Sequence, residues 1–228
     1  MKIAAISDTH GYHRKLVIPS GVDVLIHCGD ITSSGEVDTV DDFAGWLGNQ
    51  DPPHKIVIAG NHDFTFDPSS SRYNAVVEQL LYRRGIHYLF DSSVTIDKIK
   101  FYGTPWVPNL QMWAFYHPSN QDRFQAIPVD TDVLISHGPP HGILDRCPQH
   151  TATGTRQIGH VGDTRLFRRI EHLTRLQYHF FGHIHEDGGK TVTSWTDQTG
   201  RTWPTYHNAA NLDERYDMKR QVPVVFDI

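Results

Sequence analysis

The sequence predicts an α/β protein, and three observations favour that class. Short apolar, β-branched runs recur along the 228 residues, and each stops at a polar cluster. Between them, apolar residues recur at the spacings of three and four that indicate helices. Several runs are continuously apolar, which is typical of strands buried on both faces of a sheet. The predicted strands are residues 2–6, 22–27, 55–59, 132–135 and 178–181.

Three segments between these strands have helical periodicity. The first follows Ser33 and Ser34, either of which is suited to cap it. The second, residues 72–84, ends at Gly85, a favourable residue just past a helix C-terminus. The third follows Asp163, another residue suited to N-capping. Their apolar faces are Val37, Val40, Phe43 and Leu47, then Val76, Val77, Leu80 and Leu81, then Leu166, Phe167, Ile170 and Leu173.

The C-terminal half has a different character. Residues 94–102 and 190–206 have the pattern of antiparallel strands, and residues 222–228 of a final strand, so a second or mixed sheet is expected. Residues 143–162 are rich in Gly, Thr and His and predict a long loop. No repeat or charge block marks a boundary, and we expect a single domain over residues 1–228.

Composition limits the substrates and the cellular location that the sequence predicts. A net charge of −5 without a basic run does not argue for a nucleic-acid polymer as substrate, and does not exclude one. The two cysteines fit a reducing compartment, and no stretch is long enough to span a bilayer, so the expected location is the cytoplasm. The sequence does not predict an oligomeric state. The 16 histidines are the unusual number, and they direct attention to metal binding.

Polar residues suited to metal binding follow all five strands. Asp8 and His10 are spaced so that both side chains can point to one side. Asp30 follows Gly29, which lets the chain turn sharply at the strand end. For each of these motifs alone, a turn, a loop pair or a helix cap is the better explanation. His137 alone would usually be structural.

The third and fifth motifs are more specific. Asn61 offers a neutral amide oxygen, and His62 beside it is suited to proton exchange near neutral pH. Asp63 would either orient His62 or cap the loop. His183 and His185 form the most metal-like pair in the chain. All five motifs fall at the carboxyl ends of strands, where α/β proteins bind ligands, and chance is a poor explanation for that.

In this order the motifs resemble the five sequence blocks of the calcineurin-like metallophosphoesterase superfamily. Segments 7–10, 58–62, 102–106, 137–140 and 181–186 more narrowly resemble its small metallophosphoesterase-domain (MPPED) branch. The resemblance covers essentially the whole chain. It implies a four-layer α/β/β/α sandwich of two mixed sheets with two divalent metal ions at the ends of the strands.

The resemblance also implies roles for individual residues. The first ion would bind Asp8, His10 and His185, and the second Asn61, His137 and His183. Asp30 would bridge the two, and His62 would be the proton donor. Two such ions activate a shared hydroxide and clamp a phosphate ester for in-line attack. The nitrogen and oxygen ligands favour Mn²⁺, Fe, Zn²⁺ or Ni²⁺.

Departures from the Ser/Thr protein phosphatases of this superfamily narrow the substrate. Their two arginines, which grip a phosphomonoester, are replaced here by the segment after Asp30 and by Ala59. We therefore expect a small phosphodiester, and the resemblance to the nearest family members implies a cyclic nucleotide as the leading class. A nuclease, a phosphomonoesterase or a binding module with little turnover remain alternatives. Trp106, Trp113 and Phe115 would stack a base or pack the fold, and Asn61, His62 and His141 would approach the substrate.

Overall fold

The computed structural model describes residues 1–108, 110–118, 121–150 and 156–228, and its strands form two large sheets. The first sheet has five strands, which are parallel except that the last strand of the chain pairs antiparallel with the first. In spatial order it consists of β15 (Val225–Asp227), β1 (Lys2–Ile6), β2 (Val24–Cys28), β3 (His54–Ile58) and β4 (His87–Tyr88).

The second sheet has six strands, with a parallel centre and an antiparallel strand at each edge. Its order is β11 (Thr191–Val192), β14 (Thr205–Asn208), β10 (Tyr178–Phe181), β7 (Val133–Ser136), β6 (Ile99–Thr104) and β5 (Ser92–Ile96). All five strands predicted to precede the motifs are present, with ends shifted by up to two residues.

The two sheets pack face to face. Ile3 and Ala5 of β1 belong to an apolar cluster that also contains Val133 and Phe180 of the second sheet. The alternate residue Ile6 belongs to a separate cluster on the outer faces. Since alternate side chains of a strand point to opposite faces, the strands are buried on both sides, as the continuous apolar runs predicted.

In the described part of the chain, three α-helices cover the outer faces and complete the four layers predicted for this fold: α1 (Val37–Gly48), α2 (Val76–Tyr82) and α3 (Thr164–Ile170). Asp163 caps α3 by accepting from the Arg165 and Leu166 amides, as predicted. The predicted cap of α1 is wrong. The N-cap is Glu36, whose carboxylate instead accepts from the amides of Ser33 and Ser34. Single 3-10 turns cover His13–Lys15, Phe64–Phe66, Arg123–Ala126 and His185–Asp187.

The long loop predicted over residues 143–162 is also wrong in part. Strands β8 (Arg146–His150) and β9 (Arg156–His160) form an antiparallel hairpin there, with residues 151–155 outside the described residues. A second small hairpin pairs β12 (Trp195–Thr196) with β13 (Thr202–Trp203), within the segment 190–206 predicted to form antiparallel strands. Among the described helices, none combines the length and apolarity needed to cross a membrane.

Candidate metal centre

The carboxyl ends of both sheets meet at one place. Asp8, Asp30 and Asn61 follow β1, β2 and β3, which are neighbours in the first sheet. His137 and His183 follow the neighbouring strands β7 and β10 of the second. The amide of His183 donates to both carboxylate oxygens of Asp8, at 2.9 and 3.1 Å, which joins the sheets directly.

Three overlapping groups of side chains bring their ligand atoms within 4.8 Å of one another. The first is Asp8, His10 and His185, the second is Asp30, His137 and His183, and the third is His10, Asp30 and His62. Asn61 joins the second group, since its Oδ1 lies 2.9 Å from His137 Nε2. The structure thus brings together all seven residues predicted to bind metal, with Asp30 between the two sets.

Backbone carbonyls orient four of the imidazoles. A carbonyl oxygen can only accept a hydrogen bond, so each Nδ1 carries a proton and each Nε2 is directed to the site. The pairs are His10 with Thr32 at 2.9 Å, His62 with Ser33 at 2.7 Å, His137 with Cys28 at 2.9 Å and His185 with Asp213 at 2.8 Å.

One buried atom tests whether the site fits a metal ion. His10 is 5% exposed, and its Nε2 has no hydrogen-bond partner among the described residues. A buried polar atom without a partner is unfavourable by about 1–3 kcal/mol. Asp30 Oδ2, at 3.8 Å, is too far to satisfy it by a hydrogen bond. A metal ion between Asp8, His10 and His185 would give His10 Nε2 the partner that it lacks. The residues present therefore fit the metal ion expected at this position.

Carboxylates and imidazoles neutralise one another in this site. Burial alone would raise the pKa of Asp8 and Asp30, but His185 and His137 outweigh it and hold both well below the usual range. Burial alone would lower the pKa of those two histidines, and their carboxylate partners instead raise it to about 9. Protons and metal ions therefore compete for the same nitrogen atoms, and metal binding will release protons.

The backbone at the centre has an uncommon conformation. Asp8, His10, Asp30 and His183 have φ values of 53°, 42°, 57° and 67°. Such values are rare outside glycine and cluster at functional sites. A Cβ at Gly182 would collide with the side chains of Asp8 and Ser7, so only glycine permits this approach of the two sheets.

Asp63 stabilises the loops of the centre. Its buried carboxylate accepts from the backbone amides of Ile31, Thr32 and Gly60 and from the Thr32 hydroxyl. Among the described residues, these are its hydrogen-bond partners, and the His62 ring is not one of them. Of the two interpretations of Asp63, the geometry favours the loop cap, and the Ser33 carbonyl orients His62 instead.

A cavity of about 430 Å³ opens over the centre. Asp30, Asn61, His62, His183 and His185 line its base. Part of its wall, which we call the rim, consists of Trp113, Glu186, Glu214 and Tyr216. Sequence reasoning missed three of the four rim residues. Tyr216 has no sequence signal that marks it as a site residue. In the structure it is distinguished by a φ of 63°, which is strained for an aromatic residue.

Two residues predicted to contact the substrate lie elsewhere. Trp106 is 6% exposed, donates its indole N–H to Asp91 at 2.7 Å and packs against Phe115. This geometry favours the packing role for Trp106 and Phe115. His141 is exposed beside His160, 5.6 Å between ring centroids, and is not among the residues that line the cavity. The structure thus places Trp106 and His141 outside the lining of the cavity, and of the three aromatic candidates only Trp113 faces it.

Comparison with known proteins agrees with this architecture. The family model for calcineurin-like phosphoesterase matches residues 1–187. The chain is 34% identical to human metallophosphoesterase domain-containing protein 1, over all of this chain and 71% of that protein. It is 32% identical to a Caenorhabditis elegans UPF0046 protein, over all of this chain and 81% of that protein. A shorter match of 35% identity joins 28% of the chain to 32% of a probable metallophosphoesterase of Methanocaldococcus jannaschii. The chain belongs to the calcineurin-like phosphoesterase family, and it is a metal-dependent phosphoesterase.

Proposed function

We propose that the protein is a phosphodiesterase acting on small diesters of the size of a cyclic nucleotide. Two divalent ions would be held at the centre, one by Asp8, His10 and His185 and the other by Asn61, His137 and His183, with Asp30 between them. When bound, the ions supply Lewis-acid activation of the ester and of water. Mn²⁺, Fe, Zn²⁺ and Ni²⁺ suit this set of nitrogen and oxygen ligands.

His62 is suited to donate a proton to the departing alcohol. Its Nδ1–H donates to the Ser33 carbonyl, so the proton that it could transfer to the departing alcohol is the one on Nε2. That atom lies 4.0 Å from Asp30 Oδ2, and the side chain is 14% exposed at the cavity. A protonated Nε2 at this position would stabilise the alkoxide as the P–O bond breaks.

The charge of the cavity lining carries the preference for diesters. Among the described residues that line it, none is Lys or Arg, whereas Glu186 and Glu214 are both present. A phosphomonoester dianion is usually gripped by bidentate arginine, which this lining does not offer. A diester carries one negative charge fewer and needs less compensation. The volume of about 430 Å³ is within the usual range for small-molecule sites.

The proposal is tested by reconstituting the protein with each of the four metals. Turnover would be measured on bis-p-nitrophenyl phosphate, p-nitrophenyl phosphate and the 2′,3′- and 3′,5′-cyclic nucleotides. We expect kcat/KM for the aryl diester to exceed that for the monoester and at least one cyclic nucleotide to be hydrolysed. Monoester turnover well above diester turnover would overturn the argument from charge. No turnover of any ester with any metal would overturn the proposed activity.

A further inference from the structure

We propose that Trp113 is a positioning residue for His62, holding the imidazole at the angle from which Nε2 can donate its proton. This inference rests on the proposed function, because it assumes that His62 is the proton donor. The Trp113 and His62 ring centroids are 4.3 Å apart, with the planes at 45°. This is the shortest ring contact that His62 makes among the described residues.

His62 needs such a contact because one hydrogen bond does not fix a ring. The Ser33 carbonyl holds Nδ1, but the ring can still tilt about that bond. On one side His10 meets it edge to face, with 4.6 Å between centroids. Trp113 supplies a further contact, on the side of the cavity wall. Tyr216 is farther away, at 6.5 Å.

The position of Trp113 is set by the same loop that carries Asn61 and His62. The amide of Ala114 donates to the Asn61 carbonyl at 3.1 Å. The amide of Phe115 donates at 2.8 Å to Asp67, whose side chain is buried, and the Phe115 ring is fully buried. Two anchors directly after Trp113 therefore tie its backbone to the loop that carries His62. An indole that is 38% exposed is thus held in place by its buried neighbours.

A second layer supports the indole from outside. Phe64 stacks on Trp113 at 5.9 Å and 29°, and the Arg72 guanidinium lies 4.8 Å from the centre of the Phe64 ring. Arg72 also donates to the carbonyl of Ser34, the residue after the one that holds His62 Nδ1. One chain of contacts, through Phe64 and Arg72, therefore links the Trp113 ring to the loop whose Ser33 carbonyl holds His62.

Trp113 could instead contact a flat group of the substrate, and the two roles differ in what they change. A substrate contact affects binding, and so KM, for substrates with that group. Loss of a positioned acid slows the hydrolysis of esters with poor leaving groups, which must be protonated as they depart. It hardly affects p-nitrophenyl esters, because p-nitrophenolate departs without a proton. The dependence of kcat on leaving group therefore separates the roles.

The test uses metal-loaded Trp113→Ala, Trp113→Phe and His62→Ala on methyl aryl phosphodiesters with leaving phenols from good to poor. We expect Trp113→Ala to lower kcat about 10-fold for the poorest phenol and little for p-nitrophenol, and His62→Ala to show the same trend about 100-fold. Trp113→Phe should restore most of the rate. Tyr82→Ala, which removes a ring that is 82% exposed on α2, is the matched control and should leave every rate unchanged.

A second readout is independent of turnover. In the diamagnetic zinc-loaded protein, we expect the Trp113 ring current to shift the His62 ring protons in ¹H–¹³C NMR spectra, and Trp113→Ala to abolish the shift. An equal loss for all leaving groups, or a change in KM alone, would overturn the positioning role. If the loss of rate in His62→Ala were the same for all leaving groups, both the proton-donor assignment of His62 and the positioning role of Trp113 would be overturned. If the loss of rate depended on the leaving group in His62→Ala but not in Trp113→Ala, the positioning role of Trp113 would be refuted and the proton-donor assignment of His62 would stand.

Discussion

The metal centre and the rim of the cavity are adjacent, yet they are built in opposite ways. Asp8, Asp30 and His137 of the centre are at most 2% exposed and come directly after sheet strands. Trp113 and Tyr216 of the rim are 38% and 45% exposed and lie on loops outside the sheets. The centre is held by both sheets at once, whereas the rim residues lie on turns and loops that follow or flank the strands.

This difference separates reaction chemistry from substrate choice. Changes in the centre remove a buried charge or ligand and disturb both sheets, so they should be severe. Changes in the rim alter exposed or half-buried groups and should leave the fold intact. At Tyr216 and the two glutamates they should adjust binding, whereas at Trp113 they should lower the rate through His62. The variants below test that division, beginning with the largest expected effect.

Asp30→Asn should abolish activity, lowering kcat/KM by about 10³-fold or more. Asp30 is the carboxylate shared by two of the three ligand groups, and an amide would lose the charge that opposes two cations. Metal content by mass spectrometry should fall with activity. Asp38→Asn, an exposed carboxylate on α1, is the matched control. Full metal content and near-normal turnover in Asp30→Asn would break the comparison.

Acid should weaken the fold through two histidines close to the centre. His27 bonds to Thr9 and His179 to Ser136, and burial lowers the pKa of both to about 3. The unfolded chain takes up these protons near pH 6.5 and the folded protein does not. Stability is therefore full above pH 6.5 and is lost as pH falls towards 3, by about 1.4 kcal/mol per pH unit for each histidine.

The measurement is urea unfolding of metal-free protein at several pH values between 7 and 4. His179→Gln can still donate to Ser136 but does not titrate, so its free energy of unfolding should fall less steeply than that of the unaltered protein. The expected difference in slope is about 1.4 kcal/mol per pH unit. Parallel profiles for the two proteins would contradict the assignment of a neutral His179.

Tyr216→Ala should raise KM for aryl diesters about 5- to 10-fold and change kcat little, since an aromatic contact with the substrate contributes about 1 kcal/mol. The ring packs 4.9 Å from His10 and 5.3 Å from His185 at the mouth of the cavity. Tyr216→Phe retains the ring and should resemble the unaltered protein in steady-state kinetics. A large fall in kcat with unchanged KM would place Tyr216 with the centre instead of the rim.

The double variant Glu186→Gln, Glu214→Gln should have the smallest effect. Removing two rim charges should raise monoester kcat/KM relative to diester kcat/KM by only about 2- to 5-fold, because solvent and salt screen charges that are exposed or half-buried. The ratio should approach that of the unaltered protein as salt increases. An unchanged ratio at low salt would show that the rim does not discriminate by charge.

The same contrast explains what the sequence could predict. The ligands of the centre follow continuous apolar strands, so a local pattern places them at the sheet ends. The carbonyls of Cys28, Thr32 and Ser33, which orient three imidazoles, have no side-chain signature at all. Tyr216 reaches the cavity by a turn that only the folded chain reveals.

The two errors in secondary structure have a physical origin too. The hairpin of β8 and β9 depends on pairing across residues that lack period-two alternation, so its composition resembles a loop. At α1, the Glu36 carboxylate accepts from the amides of Ser33 and Ser34, and Glu36 is the N-cap in place of either serine. Both outcomes follow from partners that a local window does not weigh.

The joining of the two sheets at the centre has a consequence for the lifetime of the protein. Asp8 and His183 are 175 residues apart in the chain, and each proposed ion takes ligands from both sheets. Bound metal would then act as a removable cross-link, adding its binding free energy to folding. A chelator should lower the melting temperature and speed proteolysis as well as stop catalysis. Metal supply would in that way govern how much of this protein persists, and not only how fast it works.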